Sequence, residues 1–230
     1  MTTHLIAMHG WASDQRAWQP WAALAKARGW SFSTGERGYG RQLPHQPVWD
    51  PQARQRVVLA HSLGPHLLPS ALLEQATAVV LLASFGRFVP PGPEGRRLTA
   101  ALRTMAARLE AGEEVALLRD FYRQAAAPHP ASQLPQGPLN EGIGPEGRQR
   151  LLEDLRLLEA TGGLPAGFPT QARVLVVEAD DDQIVAEASR ALLRQALPEA
   201  SHWQRHQAGH ALLLPELPAA VLDWVDHAQR

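Results

Sequence analysis

The pentapeptide Ala60-His61-Ser62-Leu63-Gly64 contains the residue that is best suited to nucleophilic chemistry. It approximates the G-x-S-x-G pattern, in which a serine occupies a sharp turn between a strand and a helix. Such a turn exposes the Ser62 hydroxyl for attack on a carbonyl carbon. Ala60 replaces the first glycine of the pattern, and a turn of this kind can accommodate one methyl group. The alternative is a serine that only caps an ordinary helix.

A serine nucleophile needs a base and an acidic residue that orients the base, and both occur late in the chain. Asp180, Asp181 and Asp182 follow the apolar run 174–177, and His210 follows a short predicted strand at 202–206. Both positions lie just beyond the carboxyl end of a predicted strand, where active sites form in parallel sheets. We therefore predict Ser62, Asp182 and His210 as a catalytic triad in that chain order.

Two choices within this triad rest on neighbouring residues. Asp182 is preferred because Ile184 and Val185 follow it closely, and Asp181 is the alternative. His210 is preferred over His202 and His206, because those two histidines fall in the predicted strand and are interpreted as structural.

The oxyanion of a tetrahedral intermediate would need two backbone N–H groups. The end of the first strand, at His9-Gly10-Trp11, can supply the N–H of Trp11, and the residue after the nucleophile can supply that of Leu63. The Trp11 side chain either lines the acyl pocket or belongs to the core, and the sequence does not decide between the two.

The elements that must position these residues alternate between strand and helix. Apolar runs predict strands at 5–8, 30–34, 56–60, 78–83, 174–177 and 202–206, and helices at 18–28, 63–75, 185–196 and 215–227. This alternation predicts an α/β fold with a mostly parallel, doubly wound sheet. No strand pattern occurs in residues 86–165, where helices are predicted at 96–110, 113–124 and 146–160. We interpret 1–85 and 166–230 as an α/β body and 86–165 as a helical lid insertion, the lid segment.

Composition excludes several classes of protein. The chain has 230 residues, no cysteine and a net charge of −1. Disulfides and cysteine nucleophiles are therefore excluded, and neither a nucleic-acid partner nor a membrane partner is expected. With no basic leader before the first strand, we expect a cytoplasmic protein.

Four segments together resemble the α/β-hydrolase superfamily: residues 5–11, 36–40 and 57–64, and 182–185 taken with 209–210. Within it, the chain is similar to the pimeloyl-acyl-carrier-protein methyl ester esterases of biotin synthesis. That closer likeness rests on His9-Gly10-Trp11-Ala12 with Trp18 downstream, on Ala83-Ser84 before the lid segment and on Asp154-Leu155-Arg156 within it. The chain departs from that family at Ala60, where glycine is usual, and at His61, where an aromatic residue is expected.

The resemblance implies a serine ester hydrolase that uses Ser62, His210 and Asp182 and requires neither a metal nor an organic cofactor. Its substrate would be a methyl ester carried by an acidic acyl carrier protein, and we expect the enzyme to be a monomer. Arg119 and Arg123 are spaced to share one helix face and are candidates for contact with the carrier, as are the later arginines 148, 150 and 156. Solvated helix faces with internal ion pairs are the alternative. Phe121 is expected to pack on the body or to roof the acyl channel.

Overall fold

A six-stranded sheet with all pairs parallel forms the centre of the computed structural model, which describes residues 2–227. Its strand order is β2-β1-β3-β4-β5-β6. The strands are β1 (Thr3–Met8), β2 (Ser31–Thr34), β3 (Gln55–His61), β4 (Ala78–Leu82), β5 (Arg173–Ala179) and β6 (Ser201–Arg205). The predicted mostly parallel sheet is confirmed, because every strand pair is parallel. Each strand also lies at or within about two residues of its sequence pattern.

Helices cover both faces of this sheet. The described α-helices are α1 (Gln19–Ala27), α2 (Gly64–Leu67), α3 (Ser70–Leu73), α4 (Pro93–Glu110), α5 (Glu114–Ala126), α6 (Pro138–Glu141), α7 (Pro145–Ala160), α8 (Glu187–Ala196) and α9 (Leu217–His227). Short 3-10 helices occupy Gln15–Trp18 and Ala131–Gln133. None of the described helices is long and apolar enough to span a membrane.

The central strands are apolar throughout because both of their faces are covered. Alternate side chains of β1 and β3 belong to different clusters: Leu5 and Val57 pack with α1 and α9, while Ile6 and Val58 pack with α3 and α8. This two-sided burial explains why the sequence shows continuous apolar runs here instead of an alternating pattern.

The helix predicted at 63–75 is wrong in one respect, because the chain forms two short helices there instead of one. Leu68 has an extended backbone, with φ −86° and ψ 144°, between α2 and α3. Pro69 follows it, and a proline disfavours helical geometry in the residue before it. The chain therefore leaves the helix after Leu67 and begins another at Ser70.

The lid segment, within the described residues, contains helices and loops and no strand. Its helices share one apolar cluster with the body, in which Leu117 and Leu151 of the lid segment pack with Trp11, Leu63 and Phe85. The body and the lid segment therefore share one continuous apolar core at this contact. The chain positions at which body and lid divide stay a prediction.

The sheet places the predicted site at a change of strand order. The chain goes from β1 to β2 on one side and then returns to β3 on the other side of β1. In open parallel sheets a crevice opens at such a switch point, outside the carboxyl ends of the strands. His9 follows β1 and Ser62 follows β3, so both residues lie at this crevice.

Candidate active site

Ser62 occupies a tight turn between β3 and α2. Its φ is +54°, a conformation that non-glycine residues adopt only when their surroundings enforce it. Two hydrogen bonds hold the turn: the Ser62 N–H donates to the carbonyl of Leu82 at 2.9 Å, and the Ser84 hydroxyl donates to the carbonyl of Ser62 at 2.6 Å. The strained backbone is thus fixed by the neighbouring strand β4 and the residues after it.

Two glycines allow the chain to pass close to this turn. A Cβ atom on Gly64 would lie 2.4 Å from the carbonyl oxygen of Met8, and one on Gly10 would lie 2.8 Å from the Cβ of Ser62. Distances this short are not tolerated between real atoms, so both positions require glycine. Close packing around Ser62 therefore explains why glycine occupies both positions.

His210 is hydrogen-bonded to Asp182. The distance from His210 Nδ1 to Asp182 Oδ2 is 2.9 Å, and both side chains are buried. The other carboxylate oxygen accepts the backbone N–H groups of Ile184 and Val185 at 2.8 and 2.9 Å. Asp181 is exposed, and its own N–H donates to the carbonyl of Ala208. The geometry therefore pairs His210 with Asp182 and not with Asp181.

The environment of Asp182 favours its ionised form. Burial acts to raise its pKa, but the charge and hydrogen bond of His210 and the N–H groups of Val185 and Ile184 outweigh burial and lower the pKa below its usual value. An ionised Asp182 can orient the His210 ring and stabilise the imidazolium that forms when His210 takes a proton.

His61 links Ser62, its neighbour in the chain, to His210, its neighbour in the fold. The rings of His61 and His210 have centroids 4.9 Å apart, and Ser62 directly follows His61. Within residues 2–227 no hydrogen bond joins the Ser62 hydroxyl to His210. Catalytic hydrogen bonds are often long without substrate and tighten when it binds, so the pairing of Ser62 with His210 stays a prediction.

The two amides expected to stabilise an oxyanion flank this turn. Trp11 follows Gly10, which packs on Ser62, and Leu63 follows Ser62 itself. Neither N–H donates a hydrogen bond to a residue that the structure describes. Both amides therefore stay the predicted oxyanion donors.

A cavity of about 1020 Å³ adjoins these residues. His61 and His210 form part of its wall, whereas Ser62 does not, although Ser62 is 6% exposed. The body contributes mainly apolar side chains to the wall, such as Trp18, Trp21, Leu212 and Leu217. The lid segment contributes apolar residues, such as Phe121 and Leu134, together with polar and charged ones, such as Arg119, Arg123, Gln133 and Asn140. The cavity can thus hold an apolar chain together with a polar or anionic group.

Trp11 is both a packing residue and a wall residue. Its indole N–H donates to the carbonyl of Leu151 on α7 at 3.0 Å, and its ring meets Phe121 edge to face with centroids 4.9 Å apart. Both rings also line the cavity. The two sequence-based interpretations of Trp11 are therefore compatible, and Phe121 lies where it can roof the cavity.

Four of the lid arginines fall into two groups. Arg148 is bound to Glu114 at 2.8 Å and Arg150 to the carbonyl of Gly38 at 2.9 Å, so both are engaged within the fold. Arg119 and Arg123 are exposed at the cavity wall. Arg123 pairs with Asp120, while Arg119 makes no ion pair or hydrogen bond with any described residue.

Several residues at or near the site were not predicted as functional. His61 contacts His210, and residues 211–218 form much of the cavity wall. The unexpected histidine at position 61 of the serine pentapeptide was the one sequence signal for the first of these. The interpretation of His206 as a strand residue is wrong: it lies beyond β6, is exposed and pairs with Asp180.

The architecture is that of known solved structures. An esterase from Exiguobacterium antarcticum aligns with a TM-score of 0.74 over 97% of this chain and 92% of that chain, at 14% identity. The enol-lactonase from Burkholderia xenovorans LB400 gives 0.69 over 100% and 92%, at 16% identity. The 2-hydroxy-6-oxo-6-phenylhexa-2,4-dienoate hydrolase from Rhodococcus gives 0.68 over 100% and 91%, at 15% identity.

Neither a family model nor a curated protein sequence matches the chain. The likeness is therefore one of fold, and the chain has the α/β-hydrolase fold. The fold class expected from the sequence is confirmed. Fold alone does not specify the reaction, which has to be argued from the site.

Proposed function

We propose that this protein is a serine ester hydrolase in which Ser62 is the nucleophile, His210 the general base and Asp182 the residue that orients the base. The observation that carries the proposal is the buried Asp182–His210 hydrogen bond of 2.9 Å next to the strained turn at Ser62. The solved structures of the same fold include proteins named esterase and enol-lactonase, which is consistent with acyl-transfer chemistry.

The mechanism follows from these positions. Ser62 Oγ attacks the ester carbonyl carbon while His210 Nε2 accepts the hydroxyl proton, and the N–H groups of Trp11 and Leu63 hold the oxyanion. The intermediate collapses, the carbon–oxygen bond to the alcohol breaks, and His210 returns its proton to the departing alcohol. Water then attacks the acyl-enzyme with His210 again as base, which releases the acid and restores Ser62.

We further propose that the ester is the methyl ester of pimeloyl-acyl carrier protein, so that methanol is the departing alcohol. Two features of the cavity support this substrate. Its volume of about 1020 Å³ lies just above the range of roughly 300–1000 Å³ for small-molecule sites, which leaves room for a pimeloyl chain. Arg119 is unpaired within the described residues and exposed at the wall, where it can meet an anionic carrier or its phosphate.

The decisive experiment compares two substrates that share the acyl group and differ in the carrier. Hydrolysis of pimeloyl-acyl-carrier-protein methyl ester is measured beside that of dimethyl pimelate, with Ser62→Ala as the control. We expect the wild type to prefer the carrier-bound ester, and Ser62→Ala to lose about 10⁴- to 10⁶-fold in kcat.

Activity on the free ester alone would identify a general small-ester hydrolase and remove the carrier protein from the proposal. That second candidate is favoured by the esterase among the similar structures. A Ser62→Ala variant as active as the wild type would exclude serine catalysis altogether.

A further inference from the structure

His61, the residue directly before the proposed nucleophile, contacts the backbone of the proposed base. Its Nε2 lies 2.9 Å from the carbonyl oxygen of His210. Because a carbonyl oxygen only accepts hydrogen bonds, Nε2 carries the proton and donates it. The contact thus selects the Nε2–H tautomer and leaves Nδ1 without a proton, facing Gly10.

His61 makes this contact as a neutral ring. Its ring is partly buried at the cavity wall, and this burial, followed by the positive charge of the neighbouring His210, lowers the pKa of His61 to about 4. Asp182 acts in the opposite direction and His9 in the same direction as His210. At neutral pH the side chain therefore supplies a hydrogen-bond donor and no charge that would oppose a cationic His210.

The loop that carries His210 is held from the lid segment as well. The N–H of Ala211 donates to the carbonyl of Ala125 at 2.9 Å, and a Cβ atom on Gly209 would lie 1.7 Å from the carbonyl oxygen of Ala127. The residues on both sides of His210 in the chain thus pack on the end of α5. The carbonyl of His210 itself accepts a hydrogen bond from His61, the last residue of β3.

The hydrogen bond from His61 links base and nucleophile by a short path. His61 and His210 are 149 residues apart in the chain, yet one peptide bond separates His61 from Ser62. Asp182 holds the His210 ring at Nδ1, but a contact with the ring alone does not fix the position of the His210 backbone. The carbonyl contact adds to the hold from the lid segment, because it joins the His210 backbone to the turn that carries the nucleophile.

We propose that His61 is a positioning residue for His210: its Nε2–H anchors the His210 carbonyl and so sets where His210 Nε2 meets the Ser62 hydroxyl. This inference rests on the proposed roles of Ser62 and His210. It concerns a residue that acts through the base and does not touch the reacting atoms.

Three substitutions separate the donor from the ring. In His61→Gln the amide nitrogen reaches about as far as Nε2 and still donates to the His210 carbonyl. In His61→Asn the side chain is too short for the amide to reach that carbonyl. In His61→Phe an aromatic ring stays in place but the donor is lost. The measurements are kcat and KM for p-nitrophenyl acetate, the rate of Ser62 labelling by a fluorophosphonate, and Tm.

We expect His61→Phe and His61→Asn to lower kcat and the labelling rate by about 10- to 100-fold with little change in KM, as a displacement of the base near 1 Å would. His61→Gln should recover most of that loss. A role limited to packing predicts instead that the losses follow Tm, with the ring-preserving Phe variant closest to the wild type. That ranking, or a Phe variant with wild-type kcat, would overturn the proposal.

A spectroscopic readout keeps this inference separate from the proposed function. Nitrogen-15 NMR of the wild type at pH 7 should show His61 as the neutral Nε2–H tautomer, and an Nδ1–H tautomer would overturn the contact itself. Absence of Ser62 labelling in the wild type, with the Nε2–H tautomer present, would reject the proposed hydrolase chemistry and with it the role of His61 in catalysis.

Discussion

The hydroxyl of Tyr39 donates a hydrogen bond of 2.6 Å to the buried carboxylate of Asp154, 115 residues further along the chain. Arg37 donates to the same carboxylate at 2.7 and 2.9 Å. Burial, followed by the charge of Asp154, raises the pKa of Tyr39 well above its usual value, so its phenol remains a donor. One carboxylate on α7 therefore holds the lid segment to the turn after β2.

Removing this carboxylate should loosen the lid segment. We expect Asp154→Ala to lower the free energy of unfolding by about 3–5 kcal/mol, because it leaves Tyr39 and Arg37 without their partner. Glu153→Ala is the matched control, since Glu153 is half exposed and contacts Arg37 at 3.2 Å. Its removal should cost less than about 1 kcal/mol in urea denaturation. Equal losses for the two variants would contradict the central place of Asp154.

The choice between neighbouring aspartates can be tested by activity. Asp182→Asn should lower kcat for p-nitrophenyl acetate by about 10⁴-fold, because the amide no longer orients His210 in its working tautomer. Asp181→Asn, one residue away and exposed, should keep nearly the wild-type kcat. The interpretation fails if Asp181→Asn is the inactive variant.

The same residue should make stability depend on pH. The pKa of Asp182 is lower in the folded protein than in the unfolded chain, so its carboxylate contributes stability above its unfolded value of about 4. That contribution is lost as the pH falls through the lower pKa of the folded state. We expect the Tm of the wild type to exceed that of Asp182→Asn at pH 7 and the difference to shrink below about pH 4. A difference that is constant with pH would show that Asp182 does not act through its charge.

Arg119 should affect kcat/KM for the carrier-bound substrate and not for the free ester. Arg119→Glu reverses an exposed, unpaired charge at the cavity wall, so we expect kcat/KM for the carrier-bound methyl ester to fall about 10-fold and less so at high salt. Arg103→Glu is the control, because Arg103 is exposed on α4 and does not line this cavity. Similar losses in both variants would indicate a general effect of net charge.

Gly209 should be intolerant of a side chain. A Cβ atom there would lie 1.7 Å from the carbonyl oxygen of Ala127, so Gly209→Ala must push the His210 loop away from α5. We expect a loss of about 1–3 kcal/mol in stability together with lower kcat. Gly162→Ala is the control, since open space surrounds that position. A Gly209→Ala variant with wild-type kcat and Tm would contradict this packing.

Local pattern was sufficient for the strands and for most of the helices. The run at 57–59 and the small residues around Ser62 predict a strand that ends in a turn, because burial on two faces and close packing leave a direct mark on residue type. Pro69 interrupts the helix expected at 63–75. The prediction missed this local effect because it followed the helical spacing of the apolar residues.

Tertiary structure alone decided which of these residues meet. Asp181 and Asp182 have the same chemistry, and only the fold shows that Asp182 reaches His210, 28 residues away. The bond from His61 to the carbonyl of His210 and the joint cavity wall of Arg119 and Trp18 leave no periodic pattern in the chain. Such contacts depend on where distant segments lie, whereas the sequence by itself determines mainly which faces must be buried and where the chain can turn.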